Sequence, residues 1–276
     1  MKKIIIVGAG ISGLFFANLL KKNSDYEIII YEKNNSINTD KGYGIQLSVN
    51  SIKLLNKIGF KDLDPINTFN PKKLDFYSFK DRKKICDLNI SEFNTDEAKY
   101  TTLQRSILIE FLKAKLPEKF IQFNKIIKKI DDTKTALELT MEDNSTIECD
   151  YLIISDGVFS TTKSLISKKD IKNIFFNSIA LRGTIDQSYL NNIDYKNISL
   201  LLGANLHSVI YPVDKNSDLN FITIMKKNLT SRRKFIKSSL LGLTAISFPN
   251  IIKVNADQDY DVVIIGAGAA GLSATE

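Results

Sequence analysis

Gly8, Gly10 and Gly13, followed by Glu32, are the residues whose types and spacing most directly imply chemistry. Glycines in the pattern G-x-G-x-x-G let a backbone turn sharply and come close to a pyrophosphate. An acid about 20 residues further on accepts hydrogen bonds from a ribose. A carboxylate at that point also repels a 2′-phosphate. Ile11 and Ser12 fill the pattern and, at the start of a helix, offer unpaired N–H groups and a partial positive charge to phosphate. The chemistry implied is the holding of a nucleotide.

That chemistry needs a strand before the glycines, a helix after them and a second strand ending at the acid. Ile4-Ile5-Ile6-Val7 is a short apolar run fit for a buried parallel strand, Leu14 to Lys22 reads as helix, and Tyr26 to Tyr31 is a second apolar strand. Beyond a polar stretch come Gly42 and Gly44, then a helix over Ser48 to Ile58 with Gly59 as its C-cap. Leu74–Phe79 and Ile85–Leu88 read as a β-hairpin. Arg105 to Leu116 is an amphipathic helix with Ile107, Leu108, Phe111 and Leu112 inward. Strands are expected over Ile126–Ile130, Ala136–Met141 and Thr146–Glu148. Tyr151 to Ser155 reads as a buried strand running into Asp156-Gly157, with a short helix beginning near Ser160, for which Asp156 is a candidate N-cap. Four more strands are expected between residues 174 and 224.

Composition bounds the rest. The 276 residues are 43% hydrophobic and 25% charged, an ordinary globular balance with room for one large or two modest domains. The net charge of +7 is spread along the chain, which excludes the clustered basic face of a nucleic-acid binder. Lysine supplies nearly all of the positive charge. Against that background Arg105 and Arg182 stand out as positions that need a planar, forked guanidinium. Cys86 and Cys149 are too few for a disulfide framework and fit a reducing cytoplasm. One histidine, His207, argues against a His-rich metal site or a Ser-His-Asp triad. No metal ligand is expected, and no catalytic acid or base.

GAGISG with Glu32, then GYGIQLSVNSIKLLNKIG, LQRSILIEFL and CDYLIISDGVFSTTKSLI come in an order and spacing that resembles the FAD-dependent aromatic-ring monooxygenases, the family of p-hydroxybenzoate hydroxylase. The resemblance covers Met1 to about Ile224. It implies a Rossmann-like α/β FAD-binding domain of the glutathione-reductase type with a partial β-sheet substrate domain. By similarity Gly8, Gly10 and Gly13 hold the FAD pyrophosphate, Glu32 the adenosine ribose, and Lys33 lies near the adenine. Gly44 and Gln46 run beside the flavin, Arg105 reaches its phosphate or ribityl part, and Ile127 lends backbone to the adenine. Asp156-Gly157 corresponds to the second nucleotide motif, at the ribityl and pyrophosphate end. Arg182 is the candidate to meet an anionic group of a small aromatic substrate, with a surface salt bridge as the plain alternative. The implied reaction is hydroxylation of an electron-rich ring with NAD(P)H and O₂. Lys163 stands where the family usually has arginine, and Val49 where proline is common.

The implied domains are 1–70 with 97–168 for FAD, and 71–96 with 169–224 for the substrate sheet. The family's third flavin motif, a G-D-A-A-H-like stretch, does not follow. From Met225 the sequence instead resembles an export signal: a start Met, the twin arginines Arg232-Arg233, an apolar run from Ser238 to Phe248 too short to span a bilayer, and a small-residue site at Val254-Asn255-Ala256. A fresh strand and G-x-G-x-x-G follow at Gly266 to Gly271. The expectation is a truncated monooxygenase followed by the beginning of a twin-arginine-exported flavoprotein, the joined chain staying in the cytoplasm. Two other readings stay open: a non-catalytic nucleotide-binding fragment, and an FAD-dependent reductase of a lipid or quinone.

Overall fold

A computed structural model describes residues 1–226 except 38, 40–42, 134, 170, 172–173, 175, 187–194 and 216–217. The chain runs through β1 (Lys2–Val7), α1 (Ile11–Leu20), β2 (Tyr26–Tyr31), β3 (Gly44–Leu47), α2 (Val49–Asn56), β4 (Thr68–Phe69), β5 (Lys73–Ser78) and β6 (Lys84–Asn89). It continues with β7 (Thr101–Gln104), α3 (Arg105–Ala114), β8 (Ile121–Gln122), β9 (Ile127–Asp132), β10 (Leu137–Met141), β11 (Thr146–Cys149), β12 (Tyr151–Ile154) and α4 (Thr162–Ser167). The last strands are β13 (Ser178–Asp186), β14 (Ile198–Leu202), β15 (Leu206–Pro212) and β16 (Asp218–Lys226). The fold is mixed α/β, with a Rossmann-like unit and a sheet-rich unit.

The first unit comprises Met1–Gly42, Leu54–Leu63 and Arg105–Ile174. Its parallel sheet has the order β12-β1-β2-β8, and the antiparallel ladder β11-β10-β9 completes its strands. The all-apolar core of β1 explains its central place: Ile5 and Ile6 are fully buried, as expected of a parallel strand covered on both faces. Tyr151 to Ile154, expected to be buried, is the edge strand β12. Paired on one side only, it leaves Tyr151 half exposed and the rest partly so. Ile5, Val7 and Tyr31 pack with Ile127, Leu139, Met141 and Cys149 in one cluster.

Helix α1 buries Gly13, Leu14, Ala17 and Asn18. The Asn18 side chain donates to the carbonyls of Leu14 and Leu112 at 2.9 and 2.8 Å and so ties α1 to α3. Helix α3 buries Ser106, Leu108, Ile109 and Leu112, so Ile107 and Phe111 sit at the margin of the buried stripe that they were expected to form. Phe111 instead meets Phe60 edge-on, with ring centroids 5.4 Å apart.

The second unit comprises Tyr43–Lys53, Asp64–Gln104 and the described residues beyond 175. Its six-stranded sheet has the order β13-β16-β15-β14-β5-β6, so the hairpin from β5 to β6 does extend it, through a parallel pairing of β5 with β14. A small antiparallel sheet, β3-β7-β4, belongs to the same unit. The compact units therefore divide at other points than the ranges drawn from sequence. Short strands far apart in sequence leave no local mark of the sheet that joins them. The β13–β16 ladder pairs Met225 with Ile179 and Lys226 with Ser178, two residues past the boundary expected at Ile224. The twin-arginine segment and the second glycine motif lie outside the described residues.

Candidate functional site

Three strand ends converge in the first unit. Val7 is level with Ile154 on one side and with Tyr31 on the other, so Gly8, Glu32 and Ser155 leave their strands together. The Gly8 N–H donates to the Tyr31 carbonyl and the Ser155 N–H to that of Val7, both at 2.8 Å. This is the carboxyl edge of a parallel sheet, where α/β folds bind ligands. A cavity of about 270 Å³ opens there.

Close approach of backbone explains two of the glycines. Gly8 has φ +99°, and a Cβ on it would lie 2.6 Å from the Ser155 carbonyl oxygen. A Cβ on Gly13 would collide with the Gly8 carbonyl oxygen. Gly10, the N-cap of α1, has open space where its Cβ would be, and neither a side-chain cap nor an acid occupies the first turn of α1. The positive end of the helix thus keeps its capacity for an anion.

Glu32 is held by its neighbours. One carboxylate oxygen accepts the Ala9 N–H at 2.9 Å, and the other accepts the backbone and side-chain N–H groups of Asn34 at 3.0 and 2.8 Å. A carboxylate has about four acceptor directions, so capacity remains for a hydroxyl. Asp156 does not cap the following helix. That helix begins at Thr162, and Asp156 Oδ2 accepts the Thr162 hydroxyl at 2.8 Å. Its Oδ1 is buried with no hydrogen-bond partner among the described residues.

Of the residues singled out from sequence, Gly8, Gly10, Glu32, Lys33, Ile127, Asp156 and Gly157 line this cavity. Ile11, Ser12 and Gly13 form the adjoining first turn of α1. Arg105 opens α3 in the same unit but is not part of the lining. Tyr31, Asn34, Lys125, Ser155 and Thr162 also line it and were not foreseen. Ser155 touches the expected motif and donates its hydroxyl to the carbonyls of Val7 and Gly8. Lys125 has no local signature. The β2–β8 pairing brings it in, and its N–H donates to the Glu32 carbonyl. The residues present fit parts of a dinucleotide: a bare helix start suits the pyrophosphate, and a carboxylate with spare capacity and an orphaned carboxylate oxygen suit hydroxyl donors such as those of the ribose or ribityl chain.

Gly44, Gln46 and Arg182 lie in the second unit. The Gly44 N–H donates to the buried Asn220 Oδ1 at 2.6 Å, and a Cβ there would strike Val213. Gln46 Oε1 accepts the Tyr100 hydroxyl at 2.8 Å. Arg182 is half-buried, not on the open surface, and its guanidinium carbon stands 5.0 Å from the centre of the Tyr43 ring. Burial lowers its pKa, against the pull of the nearby phenols of Tyr211 and Tyr43. Burial raises the pKa of Tyr211, with Arg182 and Gln46 opposing. Tyr43, Gln46, Tyr100, Arg182 and Tyr211 thus form a cluster of three phenols, an amide and a cation. Tyr43, Tyr100 and Tyr211 come from three separate segments, so the sequence does not mark them as one cluster, although Tyr43 stands in the GYGIQ stretch and Tyr211-Pro212 resembles a recurrent point of the family's substrate sheet.

Residues 6–47 match the profile of the NAD(P)-binding Rossmann-like domain. Over 226 residues the chain is 23% identical to the 3-amino-4-hydroxybenzoate 2-monooxygenase of Streptomyces cremeus, covering 80% of this chain and 56% of that protein. Over 234 residues it is 24% identical to the salicylate hydroxylase of Pseudomonas putida, covering 80% and 53%. The chain spans about half the length of these curated relatives. Among solved structures, Klebsiella pneumoniae HpxO complexed with FAD and uric acid superposes with a TM-score of 0.71 at 19% identity, over 87% of this chain and 60% of that one. At that identity the likeness is one of fold.

Proposed function

We propose that the chain binds FAD and is the larger part of a flavin-dependent monooxygenase that hydroxylates a small aromatic ring with NAD(P)H and O₂. The observation that carries the reading is the edge where Gly8, Glu32 and Asp156 meet with an orphaned carboxylate oxygen. The similarity to aromatic-ring monooxygenases, running over four-fifths of the chain, supports it. FAD, when bound, supplies the redox chemistry and the activation of O₂.

This chain's residues supply binding and orientation. The first turn of α1 takes the pyrophosphate through the N–H groups of Ile11, Ser12 and Gly13, with Gly10 giving it room. Glu32 accepts a ribose hydroxyl, Lys33 and the Ile127 backbone flank the adenine, and Asp156 with Gly157 holds the pyrophosphate and ribityl end. Arg105 completes the phosphate contacts. Gly44 and Gln46 carry the backbone that runs along the flavin, and Arg182 pairs with an anionic substituent of the substrate. Oxidation of NAD(P)H by the FAD-loaded chain that rises with added phenolic acids tests the proposal. Bound FAD without turnover would reduce it to a nucleotide-binding fragment, and oxidation driven by quinones without O₂ would replace it with a reductase.

We also read Met225 to Glu276 as an export signal and the opening of another flavoprotein, on sequence alone. Such signals are addresses read by a receptor from an N-terminus. A chain beginning at Met225 and fused to a folded reporter should be exported, and Arg232→Lys with Arg233→Lys should abolish that. Export of the whole chain, or of the double variant, would defeat this reading.

A further inference from the structure

Two segments are strapped together at the lip of the dinucleotide cavity. The Glu32 N–H donates to the Gln122 carbonyl at 2.9 Å, and the Glu32 carbonyl accepts the Lys125 N–H at 3.0 Å. Two residues on, the Asn34 carbonyl accepts the Asn124 N–H at 3.1 Å. Asn124 makes this turn in the left-handed region, with φ +55°, which asparagine tolerates better than most side chains. Glu32, Asn34 and Lys125 all line the cavity. The backbone that carries the Glu32 carboxylate is therefore set by the exit of β8 as well as by β2.

The carboxylate itself is shared unevenly. Its Oε1 accepts twice from Asn34, from the backbone N–H at 3.0 Å and from the side-chain Nδ2 at 2.8 Å. The asparagine amide can face a carboxylate only through its nitrogen, since two acceptor oxygens repel. A carboxylate oxygen has about two lone-pair directions, so Oε1 is filled. Among the described residues Oε2 accepts the Ala9 N–H alone, at 2.9 Å, and keeps one direction open beside the glycine turn.

We infer that Asn34 is a positioning residue that limits Glu32 to a single ribose hydroxyl. With Oε1 filled, one of the two neighbouring hydroxyls donates to Oε2, and the other has no carboxylate oxygen to meet. The inference rests on the reading of Glu32 as the ribose acceptor. It adds a specificity to that reading: the site recognises one of the 2′ and 3′ hydroxyls and is indifferent to the other. Removal of the Asn34 amide opens one direction on Oε1, and the second hydroxyl then gains an acceptor.

The test is a titration of the full chain, and of its Asn34→Ala variant, with ADP, 2′-deoxy-ADP and 3′-deoxy-ADP. Asn34 is exposed, so the variant should fold, which thermal unfolding checks. The unaltered chain should bind one deoxy nucleotide about tenfold more weakly than ADP, the loss of one hydrogen bond to a charged group. It should bind the other as it binds ADP. In Asn34→Ala both deoxy nucleotides should bind more weakly than ADP, a change of pattern that a merely structural asparagine would not produce. Equal losses for both in the unaltered chain would overturn the inference and leave the ribose assignment standing. So would an Asn34→Ala chain that keeps the one-sided pattern. Equal binding of all three nucleotides by the unaltered chain, or binding of none, would overturn the ribose assignment and the inference with it.

Discussion

The Thr162 hydroxyl donates to Asp156 Oδ2 at 2.8 Å while the other oxygen of the same carboxylate is buried without a donor. Leaving such a group unsatisfied costs about 1–3 kcal/mol, so a ligand that supplies the donor gains by it. Asp156→Asn should therefore lower FAD affinity roughly tenfold or more, with little loss of stability in the flavin-free chain. Thr162→Val, which only loosens the carboxylate, should do less. Flavin fluorescence titration and thermal unfolding measure the two effects. An Asp156→Asn chain that is folded and binds FAD as before would remove Asp156 from the site.

Two glycines of one motif should fail in different ways. A methyl on Gly13 runs into the Gly8 carbonyl oxygen and comes within 2.7 Å of Ser155 Oγ. Backbone cannot step aside, so Gly13→Ala should cost about 1–3 kcal/mol of stability, read by urea unfolding. A methyl on Gly10 meets nothing within 4 Å. Gly10→Ala should leave stability unchanged and weaken nucleotide binding, because its methyl fills the space left for the phosphate. Equal stability of the two variants would contradict the packing described.

Glu32 bears on the choice of nucleotide. Its three hydrogen bonds hold the carboxylate at the lip of the cavity. The chain should prefer FAD or ADP to NADP, since a fixed negative charge repels a 2′-phosphate. Glu32→Ala should narrow that preference, and nucleotide titrations would show it. Tighter binding of NADP by the unaltered chain would refute the ribose assignment.

The first turn of the fold is legible in sequence because one short stretch holds all of it. The strand, the glycine turn, the helix and the second strand ending before Glu32 form as expected from Lys3 to Glu32, and so does the hairpin that extends the larger sheet. What escaped notice depends on pairing between distant segments. Lys125 reaches the cavity through a two-residue strand, β8, and Tyr100 reaches Gln46 across the small β3-β7-β4 sheet. The exposure of Tyr151 has a related cause, since an apolar run does not reveal whether its strand has one neighbour or two.

Arg105 opens α3 outside the cavity lining, and the phosphate contact proposed for it rests on the family resemblance. Arg105→Lys should weaken FAD binding by more than ~1 kcal/mol, because a point charge does not reproduce a forked, two-point phosphate contact. Unchanged flavin retention in a folded variant would make Arg105 a structural residue of α3.

Cys149 gives the fold a measurable alkaline limit. Burial, and then the charge of Asp150, push its thiol up from 9.0 to about 11, with Lys3 opposing. Below pH 9 the thiol is protonated in both states and its contribution to stability is complete. As pH rises from there towards 11 the unfolded chain releases the proton and the native chain holds it, so stability falls. Lysines also titrate in this range, and a comparison with Cys149→Ala separates the thiol from them: the variant should lose less stability between pH 9 and 11 in urea unfolding. Thiol labelling gives a second readout. Cys86 is exposed and Cys149 buried, so the native chain should react quickly at one thiol and at the other only on unfolding. Two thiols reacting together in the native chain would show that Cys149 does not belong to the core with Ile5 and Leu139.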